Sequence, residues 1–222
     1  MFANLKDAPF FDGLRSLFKG KQPEARRWIV LDVETSGLNP YSDRLLAIAA
    51  VALEVSPDFE GISIVIGDSY EAVLKQDLPS NKDNILIHHI GTQAQSEGRP
   101  PLEVLEEFRA WLGQSPLLAF HAPFDAGMIN RAYLQLDLLT LPNDWIDIEP
   151  LAKIVGGNKK ALGLDDWLHF FGIECAVRHQ AAADTLATCE LLLRLWAGIK
   201  NEAKSFYELK NLANLGHWLP QT

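Results

Sequence analysis

The sequence predicts an α/β domain in which a mixed β-sheet carries helices on its faces. Three observations lead there. Three stretches rich in Val, Ile and Leu occupy residues 27–74, helical periodicity dominates from residue 101 onward, and one short apolar stretch at 116–121 interrupts the helices.

Taken in order, residues 27–34 (Arg-Trp-Ile-Val-Leu-Asp-Val-Glu) read as a first strand. Gly37-Leu38-Asn39-Pro40 follows as a turn, because Gly and Pro interrupt both regular structures. Residues 44–55 and 61–74 are two more strands, separated by Ser56-Pro57-Asp58. Residues 76–101 are polar and broken by Pro79, Gly91, Gly98, Pro100 and Pro101, so they read mainly as loop. Residues 101–112 place Leu102, Val104, Leu105, Phe108 and Leu112 on one side of a helix. Residues 116–121 form a fourth strand, short and buried. Helices are expected at 125–136, 148–155, 164–171 and 181–199, with a weaker one at 203–215.

The ends look separable. Residues 1–26 interleave Phe2, Leu5, Phe10, Phe11 and Leu14 with Lys and Asp, the spacing of a short amphipathic helical extension. Such a segment packs on its own domain, or docks on a partner or a second copy. The expected division is 1–26 as an N-terminal helical extension, 27–200 as the catalytic domain, and 201–222 as a C-terminal helical tail.

Composition sets outer bounds. A chain of 222 residues with 48% hydrophobic and 22% charged side chains suits one globular domain with short extensions. No apolar run reaches the roughly 18 residues of a membrane span, and the start has no basic n-region before an apolar stretch, so a cytoplasmic protein without membrane attachment is expected. Two cysteines, Cys175 and Cys189, are too few for a disulfide framework and are expected as free buried thiols. The net charge of −9 argues against coating a long phosphate backbone, but not against gripping one chain end through metal ions.

Three groups of residues carry chemistry. Asp32 and Glu34 sit two apart near the end of an apolar strand, so both project from one face. Paired carboxylates beside Val, Leu and Ile repel each other unless a cation offsets them, or unless the strand end is simply solvated. Asp125 follows the 116–121 strand, where ligands collect in α/β sheets, although capping the next helix is an equally ordinary task for Asp. His179 precedes Asp184 by five residues, which puts the imidazole on a loop and the carboxylate about one turn into a helix. Ala181, Ala182, Ala183 and Ala187 let that helix lie close to the sheet.

Asp32-Val33-Glu34-Thr35-Ser36-Gly37-Leu38-Asn39-Pro40, Phe124-Asp125, and His179 with Asp184 resemble, in order and spacing, the three motifs of the DEDDh class of DnaQ-like 3′→5′ exonucleases. That family includes the epsilon proofreading subunit of DNA polymerase III. Asp43-Arg44-Leu45-Leu46, Ile87-His88-His89-Ile90 and the 162–173 stretch are similar to its intervening segments, so the resemblance spans roughly 26–196. The tyrosine subclass places Tyr four residues before the last Asp, where this chain has Gln180. Two departures stand out. Phe120-His121-Ala122-Pro123 replaces the usual His-Asn-Ala, leaving His121 in place of an Asn, and His89 stands where Gly is common.

The resemblance implies a ribonuclease H-like mixed β-sheet flanked by α-helices. It implies phosphodiester hydrolysis at the 3′ end of DNA by a two-metal-ion mechanism, with nucleoside 5′-monophosphates released in proofreading or repair. Asp32, Glu34, Asp125 and Asp184 would hold two divalent cations, and His179 would act as general base. An oxygen-only donor set favours Mg²⁺ or Mn²⁺ over Zn²⁺. Substrate contacts are expected at Thr35, Gly37, Leu38, His89 and His121. Leu38 either wedges against the last base or faces the core, and Lys159 and Lys160 either touch phosphate or form a solvated pair.

The expected partners are single-stranded or frayed DNA 3′ ends, with a DNA polymerase, another protein or a second copy engaged through the terminal extensions. Two alternatives remain. One is an RNA-directed exoribonuclease like RNase T or oligoribonuclease, and the other is a non-catalytic polymerase-associated subunit.

Overall fold

A computed structural model describes residues 26–157, 163–175 and 177–216. The 1–26 extension therefore lies almost wholly outside the described residues, as do Lys159 and Lys160.

Five strands form one mixed sheet: β1 Arg27–Thr35, β2 Leu45–Val55, β3 Ile62–Val73, β4 Leu117–Ala119 and β5 Trp145–Asp147, in the order β3-β2-β1-β4-β5. The first three form an antiparallel meander, in which Asp32 lies opposite Ala49 and Glu34 opposite Ala47. β4 runs parallel to β1, and β5 parallel to β4. β2 lies between two neighbours, and its first nine residues are all buried, as expected of a strand covered on both sides. β3 lies at the edge and alternates in exposure from Asp68 to Ala72, beyond an irregularity in its pairing with β2.

The helices are α1 Lys82–His88, α2 Thr92–Glu97, α3 Pro101–Leu112, α4 Ala122–Leu134, α5 Glu149–Gly156, α6 Leu164–Phe171, α7 Ala181–Glu202 and α8 Phe206–Gly216. Pro101 opens α3, where its missing N–H costs no helical hydrogen bond, and Gly113 closes it at φ 54. Two cores result. Trp28, Val30, Val51 and Leu53 pack with α5, α6, α7 and α8 on one face, while Ile29, Leu31, Val33 and Ile48 pack with α3 and α4 on the other. Strand alternation therefore places Asp32 and Glu34 on the α7 face of β1. The hydroxyl of Thr185 donates to the Ala49 carbonyl (3.2 Å), pinning the N-terminal part of α7 to β2.

The structure corrects two expectations. Residues 76–101 are not mainly loop, since they contain α1 and α2. These helices have seven and six residues, too short for a periodic signal, and they invert the usual pattern: α1 buries His88 while Leu86 and Ile87 face solvent, and α2 buries Gln95. The sheet also has a fifth strand, β5, whose three residues leave no alternation to read. Among the described residues, no helix is long and apolar enough to cross a membrane.

Candidate active site

The C-terminal end of β1 is where the acids meet. Asp32 and Glu34 leave the strand just before a register shift between Glu34 and Thr35. Asp184 reaches them from the first turn of α7, and carboxylate oxygens of Asp32, Glu34 and Asp184 lie within 4.8 Å of one another. Asp125 is outside that trio but borders it, because its charge acts on Asp32. It sits in the first turn of α4 and is buried. His121, in the left-handed conformation (φ 62), occupies the cap position of α4, so Asp125 is not that helix's cap.

Electrostatics in the cluster are unfavourable without a cation. Burial, then the Asp125, Glu34 and Asp184 charges, hold the Asp32 carboxyl well above the usual carboxylate range. Burial and Asp184 push Glu34 up to about 7. Burial likewise raises Asp125, although N–H groups of its own backbone and of Val33 bond its carboxylate and pull the other way. Arg178 offsets part of the repulsion at Asp32 and Glu34. Its guanidinium bridges Asp184 and Asp165, joining the start of α6 to α7.

This donor set fits a hard divalent cation. Each ligand atom is a carboxylate oxygen, and a cation would convert mutual repulsion into shared attraction. The Cys175 thiol lies 3.5 Å from Asp184 Oδ1, and burial together with the Asp184 charge raises its pKa. Cys189 is buried as expected, whereas Cys175 is only half-buried.

The other candidate residues surround this cluster unevenly. His179 is exposed, in a left-handed conformation (φ 60), and its backbone N–H donates to Asp184 Oδ2 (2.9 Å), which fixes the residue beside that acid. The Thr35 hydroxyl is already committed to the Gly37 carbonyl (2.7 Å). Gly37 owes its place to packing: a Cβ there would come within 2.5 Å of the Asp43 carboxylate. That carboxylate accepts from Ser36 Oγ (3.3 Å) and Asn39 N (2.8 Å), closing the turn. Leu38 is 87% exposed at its tip, which removes the core-facing reading. His89 caps α1 in the left-handed conformation and is exposed, and the exposed His121 donates its N–H to Asp147 Oδ1 (2.9 Å).

An exonuclease family model of RNase T type matches residues 29–192, a span that contains all four acids and His179. The chain belongs to that family. It is an exonuclease domain of DnaQ-like type, a hydrolase from a metal-dependent group. The PolC-type DNA polymerase III of Bacillus subtilis (strain 168) is 29% identical over 194 residues, which cover 87% of this chain but 13% of the polymerase. The chain thus spans about an eighth of that relative's length. Among solved structures, E. coli exonuclease I with a dA16 oligonucleotide superposes at a TM-score of 0.62, with 18% identity, covering 80% of this chain and 44% of that one. Exonuclease X in complex with 5′-overhanging duplex DNA gives a TM-score of 0.63 and 18% identity over 84% of this chain and 99% of its own. Both share the ribonuclease H-like sheet with flanking helices.

Three neighbours of the exonuclease site were not singled out from sequence. Arg178 adjoins His179 and was the easiest to suspect, since clustered acids call for a cation. Asp147, whose charge acts on Asp125, sits at the end of the unforeseen β5. Asn84 donates to the Thr35 carbonyl from α1, a helix the polar 76–101 stretch did not announce.

Proposed function

We propose that this domain hydrolyses the 3′-terminal phosphodiester of DNA with two divalent cations, Mg²⁺ or Mn²⁺, releasing nucleoside 5′-monophosphates in proofreading or repair. The observation that carries the reading is the convergence of the Asp32, Glu34 and Asp184 carboxylates, from two elements far apart in sequence, with Asp125 at their border. Asp32, Glu34, Asp125 and Asp184 would hold the ions. Bound there, divalent cations neutralise charge on the phosphate and on the attacking and leaving oxygens.

The chain's own groups do the rest. His179, tethered through its backbone to Asp184, accepts the proton of the attacking water, a task suited to an imidazole whose ordinary pKa is about 6.5. Leu38, presented on a turn braced by Asp43, lies against the last base, where stacking contributes about 1–3 kcal/mol without reading sequence. Thr35, Gly37, His89 and His121 line the path of the terminal nucleotide. The DNA complexes of exonucleases I and X support a DNA substrate, and the PolC-type relatives support work beside a polymerase.

The test uses 5′-labelled DNA and matched RNA, each single-stranded, duplex and 3′-mismatched. A ladder shortening from the 3′ end, strict dependence on Mg²⁺ or Mn²⁺, and loss of activity in Asp32→Ala are expected. Undiminished release of mononucleotides by Asp32→Ala would refute the assignment. Degradation of RNA alone would replace DNA with an RNA 3′ end.

A further inference from the structure

Beside the Thr35 end of β1 lies a run of buried polar side chains that hydrolysis does not use directly. Gln95 is wholly buried, and its Nε2 donates to Ser80 Oγ and to the Ile90 carbonyl, both at 2.8 Å. Its Oε1 accepts the Ser80 N–H at 2.8 Å. His88, 2% exposed, accepts the Ile90 N–H at Nδ1 (3.0 Å). That bond places the proton of the neutral ring on Nε2, and Nε2 lies 2.6 Å from Asn84 Oδ1. With its oxygen so engaged, Asn84 turns its amide nitrogen outward and donates to the Thr35 carbonyl at 3.0 Å. Burial holds the His88 pKa below its ordinary value, which keeps the ring in this neutral form.

The hydrophobic effect does not fix α1 in place. Leu86 and Ile87 are 73% and 53% exposed, while the buried residue of α1 is a histidine. The helix is therefore located by polar contacts, which are directional in a way that apolar packing is not. Its contact toward the cleft reaches the residue directly after Glu34, where the β1–β2 register shifts.

Resting on the exonuclease reading above, we infer that His88 and Asn84 are positioning residues: a hydrogen-bond relay from the buried Gln95–Ser80 cluster that sets the height of the Thr35–Gly37 turn and so shapes the seat of the 3′-terminal nucleotide. The acids stay in place without it, so the relay governs substrate fit more than turnover.

The experiment compares wild type with Asn84→Ala, His88→Leu and His88→Gln, in which the Gln amide supplies a donor near the position of Nε2. Asn84→Ala and His88→Leu are expected to raise KM for a single-stranded DNA 3′ end about tenfold with kcat within about twofold, and His88→Gln to recover most of that loss. Amide hydrogen exchange across 34–44 is the second readout, expected to quicken about tenfold in the first two variants only. Unchanged exchange there in Asn84→Ala overturns the relay whatever the catalytic result, as does a His88→Gln no better than His88→Leu in either readout. If wild type cleaves nothing, the exonuclease reading fails, and the exchange data alone decide whether the relay exists.

Discussion

Two helices each deliver an acid to the end of β1, and they do so by different means. Two residues, Phe120 and the left-handed His121, join the end of β4 to the start of α4. Its Asp125 is buried and held by backbone N–H groups. α7 is entered through the 172–180 stretch, and its Asp184 is held by the Arg178 guanidinium and the His179 N–H. One acid is therefore located by main chain and the other largely by a counter-charge. Main-chain donors keep their positions when a cation arrives, whereas an ion pair competes with it. The α7 side is where cation affinity and base placement are adjustable.

The largest consequence of that asymmetry concerns His179. His179→Ala should lower turnover by about 10²–10⁴-fold, the usual range for a general base. Mn²⁺ binding by calorimetry should remain, because the four acids do not depend on the imidazole. A variant that also loses Mn²⁺ would make His179 part of the cation site.

Next comes Arg178. Arg178→Gln removes the charge that competes for Asp184, so Mn²⁺ affinity should rise about tenfold, equivalent to about 1.4 kcal/mol. The metal-free variant should also melt earlier, since its acids repel with less compensation. If Arg178→Gln leaves affinity unchanged, the guanidinium serves only to join α6 to α7.

The smallest effect is on pH-dependent stability. Glu34 in the folded, metal-free protein is raised from its ordinary 4.5 to about 7, so folding favours its protonated form. The stabilisation this gives is fully present below about 4.5 and is lost as pH rises through about 7. The metal-free protein should therefore melt a few degrees lower at pH 8 than Glu34→Gln predicts for a site that cannot ionise. Saturating Mg²⁺ should close the gap. Equal pH slopes for wild type and Glu34→Gln would show that Glu34 keeps its ordinary pKa.

Much of this was legible in the sequence, for identifiable reasons. β1 announced itself because its apolar run carries two acids on one face, and α3 because Leu105, Phe108 and Leu112 repeat at helical spacing. The meeting of Asp184 with Asp32 and Glu34 depended on motif order, since no local pattern links residues 150 positions apart. What stayed hidden runs against the binary rule. α1 and α2 bury His88 and Gln95 and expose Leu86, so hydrophobic patterning describes them backwards. Gly37 sits against the Asp43 carboxylate, a contact that spacing cannot reveal.

α8 carries a practical lesson. Phe206 stacks edge-on against Trp28 with ring centroids 5.4 Å apart, and Leu209 and Ala213 are buried in the same core as β1. A protein shortened at residue 200 would end inside α7 and strip Phe206, Leu209 and Ala213 from the core that holds Trp28 of the strand bearing Asp32. Truncations meant to probe recruitment by the C-terminal end would thus report on folding first. Point changes at outward-facing Tyr207 or Leu215, 71% and 65% exposed, separate the two questions.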